Sequence, residues 1–196
     1  MPDLKKWKLQ GLWVLACALT IQGCASSGRA GGAGDQVITA TLADVGNTLQ
    51  GTTTEPVVIH IEQFSSPQEV QQLANLLAEK GPSAVQDATW RLEKGWIRVG
   101  GSLGYPLAVI TRRPTSEGQR ITILLDRPVT YREQWQNLRS ADYPFGYIEL
   151  NLDRNGRGDG QFIPAGQIRL SSTGALEVVQ YGFQPVRLLN VQVQRG

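Results

Sequence analysis

The sequence predicts a single α+β domain that is mostly antiparallel β, built as a sandwich or a half-barrel with a packed helical hairpin. Three observations predict this class. Most of the chain after residue 36 alternates apolar and polar residues in short segments, as half-buried strands do. Short turns join these segments instead of helices, which favours antiparallel pairing. One stretch, about residues 67–94, has helical spacing.

The predicted strands follow one another with turn residues between them. In the second strand Val57, Ile59 and Ile61 share one face, which leaves His60 and Glu62 on the other. The pair Asn155-Gly156 is typical of a tight hairpin turn. We predict strands at 37–44, 56–64, 96–99, 106–113, 120–126, 145–152, 161–170, 175–181 and 185–194.

Capping signals predict the helices. Ser66, followed by Pro67 and by Glu69 three residues on, forms a capping box at the start of the first helix. Gly81 fits the left-handed position after that helix, and a second helix begins at Pro82. The apolar stripe expected on the second helix is Val85, Ala88 and Leu92. A further capping box at residues 130–133 predicts a short helix that contains Trp135.

The N-terminal segment has the pattern of a secretory signal. Three lysines, at positions 5, 6 and 8, precede a mostly apolar run from residue 9 to residue 21, which is shorter than the roughly 20 residues of a membrane-spanning helix. The run ends in Ile21-Gln22-Gly23-Cys24. These residues resemble the lipobox of bacterial lipoproteins. The resemblance implies cleavage before Cys24 and acylation of that cysteine, for example with palmitate.

A lipidated Cys24 would anchor the protein to a membrane, because two or more acyl chains hold stably where one does not. By the same resemblance, Ala25 in place of an aspartate favours the periplasmic face of the outer membrane. We therefore expect a signal peptide at 1–23, a lipidated cysteine and flexible tether at 24–36, and one domain at 37–196. A Gly/Ala/Ser tether of this length spans about 17–20 Å.

Composition excludes several classes of function. The formal net charge of +2 gives no reason to expect a nucleic-acid partner. Removal of residues 1–23 takes away three lysines and one aspartate, so the mature chain carries no net charge. Of the two cysteines, Cys17 lies in the signal and Cys24 is the predicted anchor. No thiol is left for a disulfide or a metal, and we expect no cofactor.

An aromatic segment is the candidate ligand-binding surface. Aromatic rings beside an arginine and an aspartate can stack on a sugar or a peptide and fix it by hydrogen bonds. The same rings can instead fill the core at the sheet edge. The candidate residues are Trp135, Arg139, Asp142, Tyr143 and Tyr147.

Other motifs favour structural roles. Residues 100–104 match G-x-S-x-G around Ser102, but a nucleophile elbow needs a following helix and a later histidine, and the only histidine is His60. A lone histidine cannot build a zinc site. Residues 153–159 faintly resemble a calcium loop, yet position 5 is Arg157. Neither catalytic nor metal-ligating residues are predicted.

The body of the chain is similar to uncharacterised secreted bacterial proteins in the segments 126–128, 142–145 and 185–188. That resemblance implies only a shared β-rich fold. Three functions remain: a non-enzymatic envelope lipoprotein that binds or scaffolds an envelope protein or a glycan, a periplasmic carrier of lipid or another small molecule, and a hydrolase. A hydrolase would use Ser102 or a carboxylate pair such as Asp126 and Asp142. We expect the first.

Overall fold

The computed structural model of the protein describes residues 35–45, 52–129, 143–170, 176–181 and 184–194, and at residues 45, 52, 170 and 176 it describes the backbone alone. The predictions for the signal segment, for Cys24 and most of the tether, and for the capping box at 130–133 lie outside these residues.

Ten strands and two helices are found in the described part of the chain. Neighbouring strands pair antiparallel throughout, so the prediction of a mostly antiparallel α+β fold is confirmed. The elements are β1 Gln36–Val45, β2 Thr52–Ile61, α1 Pro67–Lys80, α2 Pro82–Thr89, β3 Gly95–Val99, β4 Tyr105–Pro106, β5 Val109–Pro114, β6 Gly118–Leu125, β7 Phe145–Asp153, β8 Arg157–Leu170, β9 Leu176–Tyr181 and β10 Val186–Gln194.

The strands form one curled sheet, in the order β4-β3-β2-β1-β10-β8-β7-β6-β5, with β9 paired to β8. The two outermost strands, β4 and β5, belong to one continuous segment of chain. The Leu107 amide donates to the Gly95 carbonyl oxygen (2.9 Å), whereas the next amide, that of Ala108, donates to the Leu124 carbonyl oxygen (3.0 Å). The segment therefore contacts both edges of the sheet, and the architecture is a half-barrel.

The concave face of the sheet encloses the main core. Alternate residues of the strands point inward, as the period-2 pattern requires, and they are aliphatic with few exceptions. Phe162 is fully buried among them. Other members of this core are Ile38, Leu42, Val57, Ile59, Ile97, Leu107, Ile110, Ile121, Ile123, Ile148, Leu150 and Leu188.

The helical hairpin packs on the convex face of the sheet. The Ser66 hydroxyl accepts from the Glu69 amide (3.2 Å) while the Glu69 carboxylate accepts from the Ser66 amide (2.7 Å), so the predicted capping box is present. Gly81 joins the helices with φ of +81°. Apolar side chains of the helices form a second core with Ala108, Val109, Leu124, Phe145, Tyr147, Ile163 and Ile168.

The second helix is shorter than predicted. It ends at Thr89, and a turn carries the chain back towards β3, with the Leu92 amide donating to the Thr89 carbonyl oxygen (2.9 Å). Ala88, expected on the apolar stripe, is exposed. Thr89 is buried instead, because its hydroxyl is satisfied by the Val85 carbonyl oxygen (2.8 Å).

The predicted strand at 106–113 is divided in two. Its hydrogen-bond partner changes from β3 to β6 at Leu107–Ala108, and the ladder is interrupted there. β8 begins at Arg157, four residues earlier than expected, because the turn that precedes it takes up only residues 154–156.

Candidate functional site

The predicted aromatic surface lies only partly within the described residues. Tyr143 and Tyr147 are described. Trp135, Arg139 and Asp142 lie outside the described residues, as does the predicted lipidation residue Cys24. Tyr143 is half-buried and precedes β7.

Tyr147 belongs to the core. It is 4% exposed and lies in the apolar cluster beneath the helices. Its hydroxyl donates to the Glu149 carboxylate (3.3 Å). Burial, and after it the negative charge of Glu149, raises the pKa of the Tyr147 hydroxyl to about 12. The side chain is thus neutral and buried. This agrees with the second interpretation of the aromatic segment, in which its rings fill the core at the sheet edge.

An exposed tryptophan lies at the end of α2. Trp90 is 63% exposed, and the Arg127 guanidinium carbon lies 5.1 Å from the centre of its ring. This separation is within the range of a cation–π contact. Arg127 also binds the Asp126 carboxylate through two nitrogen–oxygen contacts of 3.0 and 3.2 Å.

Buried groups hold this stack in place. The Asp126 side chain is 2% exposed, whereas that of Arg127 is 43% exposed. The Gln86 side-chain amide of α2 donates to the carbonyl oxygens of Asp126 (3.2 Å) and Pro144 (3.1 Å). We call Gln86, Trp90, Asp126, Arg127 and Pro144 the Trp90 cluster.

The Trp90 cluster was not predicted from the sequence. Trp90 lies off the apolar stripe expected for the second helix, and a large aromatic residue off the stripe is a signal of surface exposure that could have been used. Its contact with Arg127 could not have been foreseen, because the two residues are brought together only when α2 packs across the ends of β6 and β7.

The Asp126 carboxylate forms an ion pair with the adjacent Arg127. Its carboxylate was considered as half of a catalytic pair with Asp142, which lies outside the described residues. In the structure the carboxylate is buried and charge-paired with Arg127, so its observed role is to fix the Arg127 guanidinium.

Ser102 is a turn residue. Its hydroxyl accepts from the Val99 amide (3.1 Å), and its own amide donates to the Val99 carbonyl oxygen (3.1 Å). Strand β4 follows it, whereas a nucleophile elbow leads into a helix. The geometry is that of a glycine-containing loop.

The Asp153 carboxylate closes the β7–β8 hairpin. It accepts from the amides of Asn155 (2.7 Å) and Arg157 (2.9 Å). The hydrogen bond from the Arg157 amide, followed by that from Asn155, holds the pKa of Asp153 below its ordinary value. Depressions open to solvent surround this hairpin, and one of about 560 Å³ is lined by Asn155, Arg157 and Gln192–Gln194. The carboxylate is used to form the turn, as the hairpin interpretation expects.

No group of three or more His, Cys, Asp and Glu side chains in the described part of the chain is arranged to hold a metal ion. No helix among the same residues is long and apolar enough to cross a membrane.

No protein-family model matches the chain, and neither a curated protein nor a solved structure matches it significantly.

Proposed function

We propose that the protein is a lipid-anchored protein of the bacterial envelope that binds or scaffolds an envelope protein and catalyses no reaction. Cys24 is the anchor, at the periplasmic face of the outer membrane. The Trp90 cluster, with the neighbouring Tyr143, is the binding surface. The observation that carries the proposal is the exposed Trp90 ring stacked against an arginine that a buried carboxylate holds in place.

The chemistry of the Trp90 cluster supports a protein partner. Tryptophan, tyrosine and arginine are the residues most enriched where a few side chains dominate the free energy of protein–protein binding. A side chain already fixed in one conformation loses little entropy on binding. Arg127 is fixed by Asp126 and by the Trp90 ring, so both large side chains are preorganised.

The strand register supports a binding surface at the end of the sheet that is opposite to Asp35, the first described residue of the domain. Asp35 precedes β1, whose first residues pair with the end of β10. The end of β10 pairs with the start of β8, and the start of β8 pairs with the end of β7. Asp126 and Tyr143 lie at the opposite end of β6 and β7. A tether ending at Asp35 would therefore leave the sheet at the other end of these strands.

The filled interior of the half-barrel favours surface binding over a carrier. The side chains on its concave face are aliphatic and buried, and they form the core of the domain. A lipid inside would have to displace them, and interiors packed at crystal-like density resist such displacement.

Co-purification of the full chain from detergent-solubilised envelopes tests the proposal. We expect the tagged protein to retain one specific envelope protein, and we expect Trp90→Ala and Arg127→Ala to lower the yield of that complex about tenfold or more, as loss of a dominant interface residue does. Leu103→Ala is the matched control, since Leu103 is fully exposed but lies in the loop after β3.

The anchor has its own control in the same experiment. Cys24→Ala should abolish incorporation of labelled palmitate and release the protein from the membrane fraction.

Equal recovery of the complex with Trp90→Ala and with Leu103→Ala would contradict the binding surface. Palmitate incorporation in the Cys24→Ala variant would contradict the anchor. A complex that disappears after digestion of the cell-wall glycan would identify a glycan as the partner instead.

A further inference from the structure

Strand β9 lies at an edge of the sheet. It pairs with β8, and no other described strand pairs with it. On one side of β8, strand β7 begins opposite Gly166, and on the other side β10 begins opposite Phe162. Because β8 continues to Leu170, the hairpin of β8 and β9 projects past both neighbouring strands. Within the part of the chain that the structure describes, the outer edge of β9 is therefore open to another strand.

The residues of β9 suit pairing with another strand. Edge strands that avoid pairing carry lysine, proline or inward-pointing charges, and β9 has neither lysine nor proline. Its acidic residue, Glu177, already binds Arg169 of β8 (3.3 Å). Val179 and Tyr181 are 45% and 51% exposed, and they are two of the four large apolar side chains that are exposed among the described residues.

The side chains of β9 alternate between two faces of the hairpin. Val178 packs against the apolar cluster beneath the helices. Because successive side chains of a strand point to opposite faces, Glu177, Val179 and Tyr181 share the face directed away from that cluster. This row consists of one acidic, one aliphatic and one aromatic residue, in that order.

We propose that β9 pairs with β9 of a second copy of this chain, in an antiparallel ladder centred on Val179. A two-fold axis perpendicular to the strands at this residue places Val179 opposite Val179 and Glu177 opposite Tyr181. Side chains directly opposite each other share a face and stabilise the pairing. The two valines form an apolar pair, and the hydroxyl of each Tyr181 reaches the carboxylate of a Glu177. The row is thus complementary to itself.

The symmetry of this pairing limits its size. A two-fold interface uses the same edge of both copies, so it closes at two chains and leaves no edge of β9 for a third. One short strand from each copy makes a small interface, and small interfaces are weak. We therefore expect a reversible pair. The pairing depends neither on Cys24 nor on the Trp90 cluster, so it goes beyond the proposed function and is tested separately from it.

Disulfide formation in single-cysteine variants of the full chain, held in detergent micelles, tests the pairing. Directly opposite residues have Cα atoms about 4.5–5.5 Å apart, which is within the range of a disulfide. Val179→Cys should therefore form a disulfide-linked dimer on mild oxidation. Tyr181→Cys is the matched control, because the two copies of position 181 are four residues apart along the ladder, about 13 Å. We expect the dimer to form about tenfold or more faster with Val179→Cys.

A mixture of two variants tests the register. Glu177→Cys and Tyr181→Cys should each stay monomeric alone and should form a mixed dimer when combined. The unmodified protein, which contains Cys17 and Cys24, gives the background rate. Equal rates for Val179→Cys and Tyr181→Cys would overturn the proposal, and so would a mixture that reacts no faster than its components. An edge of β9 that binds a strand of a different protein gives neither dimer and overturns it as well.

Discussion

Tyr147 shows how a single polar atom is accommodated in an apolar cluster. Its ring lies among aliphatic and aromatic side chains beneath the helices, where the free energy of burial is favourable. Its hydroxyl reaches the Glu149 carboxylate. The hydrogen bond removes the cost of a buried unsatisfied donor, but only while the hydroxyl keeps its proton.

This arrangement predicts a loss of stability in alkali. The pKa of Tyr147 is raised from 10.0 to about 12, so between these values the unfolded chain loses a proton that the folded chain keeps. Stability then falls with rising pH, by up to about 1.4 kcal/mol per unit for this group. In urea titrations from pH 9.5 to 12, we expect Tyr147→Phe to lose about 2 kcal/mol less than the unmodified protein does.

The matched control for this prediction is Tyr181→Phe, since Tyr181 is 51% exposed. The control should lose stability as the unmodified protein does. An alkaline loss that is equal in Tyr147→Phe and in the unmodified protein would show that Tyr147 is not the group responsible.

At the scale of elements, an ion pair between a buried lysine and a half-exposed glutamate connects α1 to β3. Lys94 precedes β3 and its side chain is 7% exposed, and it binds the Glu69 carboxylate at 2.9 Å. Glu69 also completes the capping box of α1. The Lys94 carbonyl oxygen accepts from the Glu62 amide (2.8 Å). The first turn of the helical hairpin is thus fixed to the strand that follows the hairpin.

The two partners of this ion pair differ in burial, and that difference predicts which of two substitutions destabilises the protein more. Glu69→Gln leaves the ammonium of Lys94 buried without its counter-charge, at a cost of about 1–3 kcal/mol because solvent at the exposed side of the pair screens the interaction. Lys94→Met removes the buried charge and leaves Glu69, which is 38% exposed, partly hydrated. We therefore expect Glu69→Gln to lower the free energy of unfolding more than Lys94→Met does. The opposite order would contradict the account of this contact.

The same contact predicts a dependence on acid. Hydrogen bonding by the Ser66 amide, and after it by Lys94, holds the pKa of Glu69 below its ordinary value of 4.5. Its contribution to stability is therefore present above pH 4.5 and is lost as the pH falls through the lower pKa of the folded state. Between pH 5 and 3 the unmodified protein should lose more stability than Glu69→Gln, whereas Glu79→Gln, on exposed α1 surface, should behave like the unmodified protein.

For the whole molecule, local patterns in the sequence predict the elements but not their assembly. The alternation of Val57, Ile59 and Ile61 and the capping box at Ser66 are local, and both are present in the structure. The way in which residues 105–114 contact both edges of the sheet depends on curvature accumulated over the whole sheet, which no local pattern encodes. The Trp90 cluster likewise combines three distant segments of the chain.

For the same reason, local sequence patterns do not show which residues of the predicted aromatic surface are exposed. Tyr147 and Tyr143 lie four residues apart, and the sequence analysis assigns both of them to one candidate surface. The structure buries Tyr147 because the helical hairpin covers that part of β7. Tyr143 lies before the strand, beside the Trp90 cluster, and is half-buried. Which aromatic residues are available to a partner is decided by where the helices pack.

The central claim, that the Trp90 cluster binds an envelope protein, is tested most directly by photo-crosslinking in intact cells. Residues 24–196 contain two lysines, Lys80 and Lys94, and Lys94 is buried, so amine-reactive reagents have few targets in this part of the chain. A photoreactive residue at position 90 should give one discrete protein adduct, while the same residue at position 103 gives none. No adduct from position 90, or the same adducts from both positions, would contradict the claim.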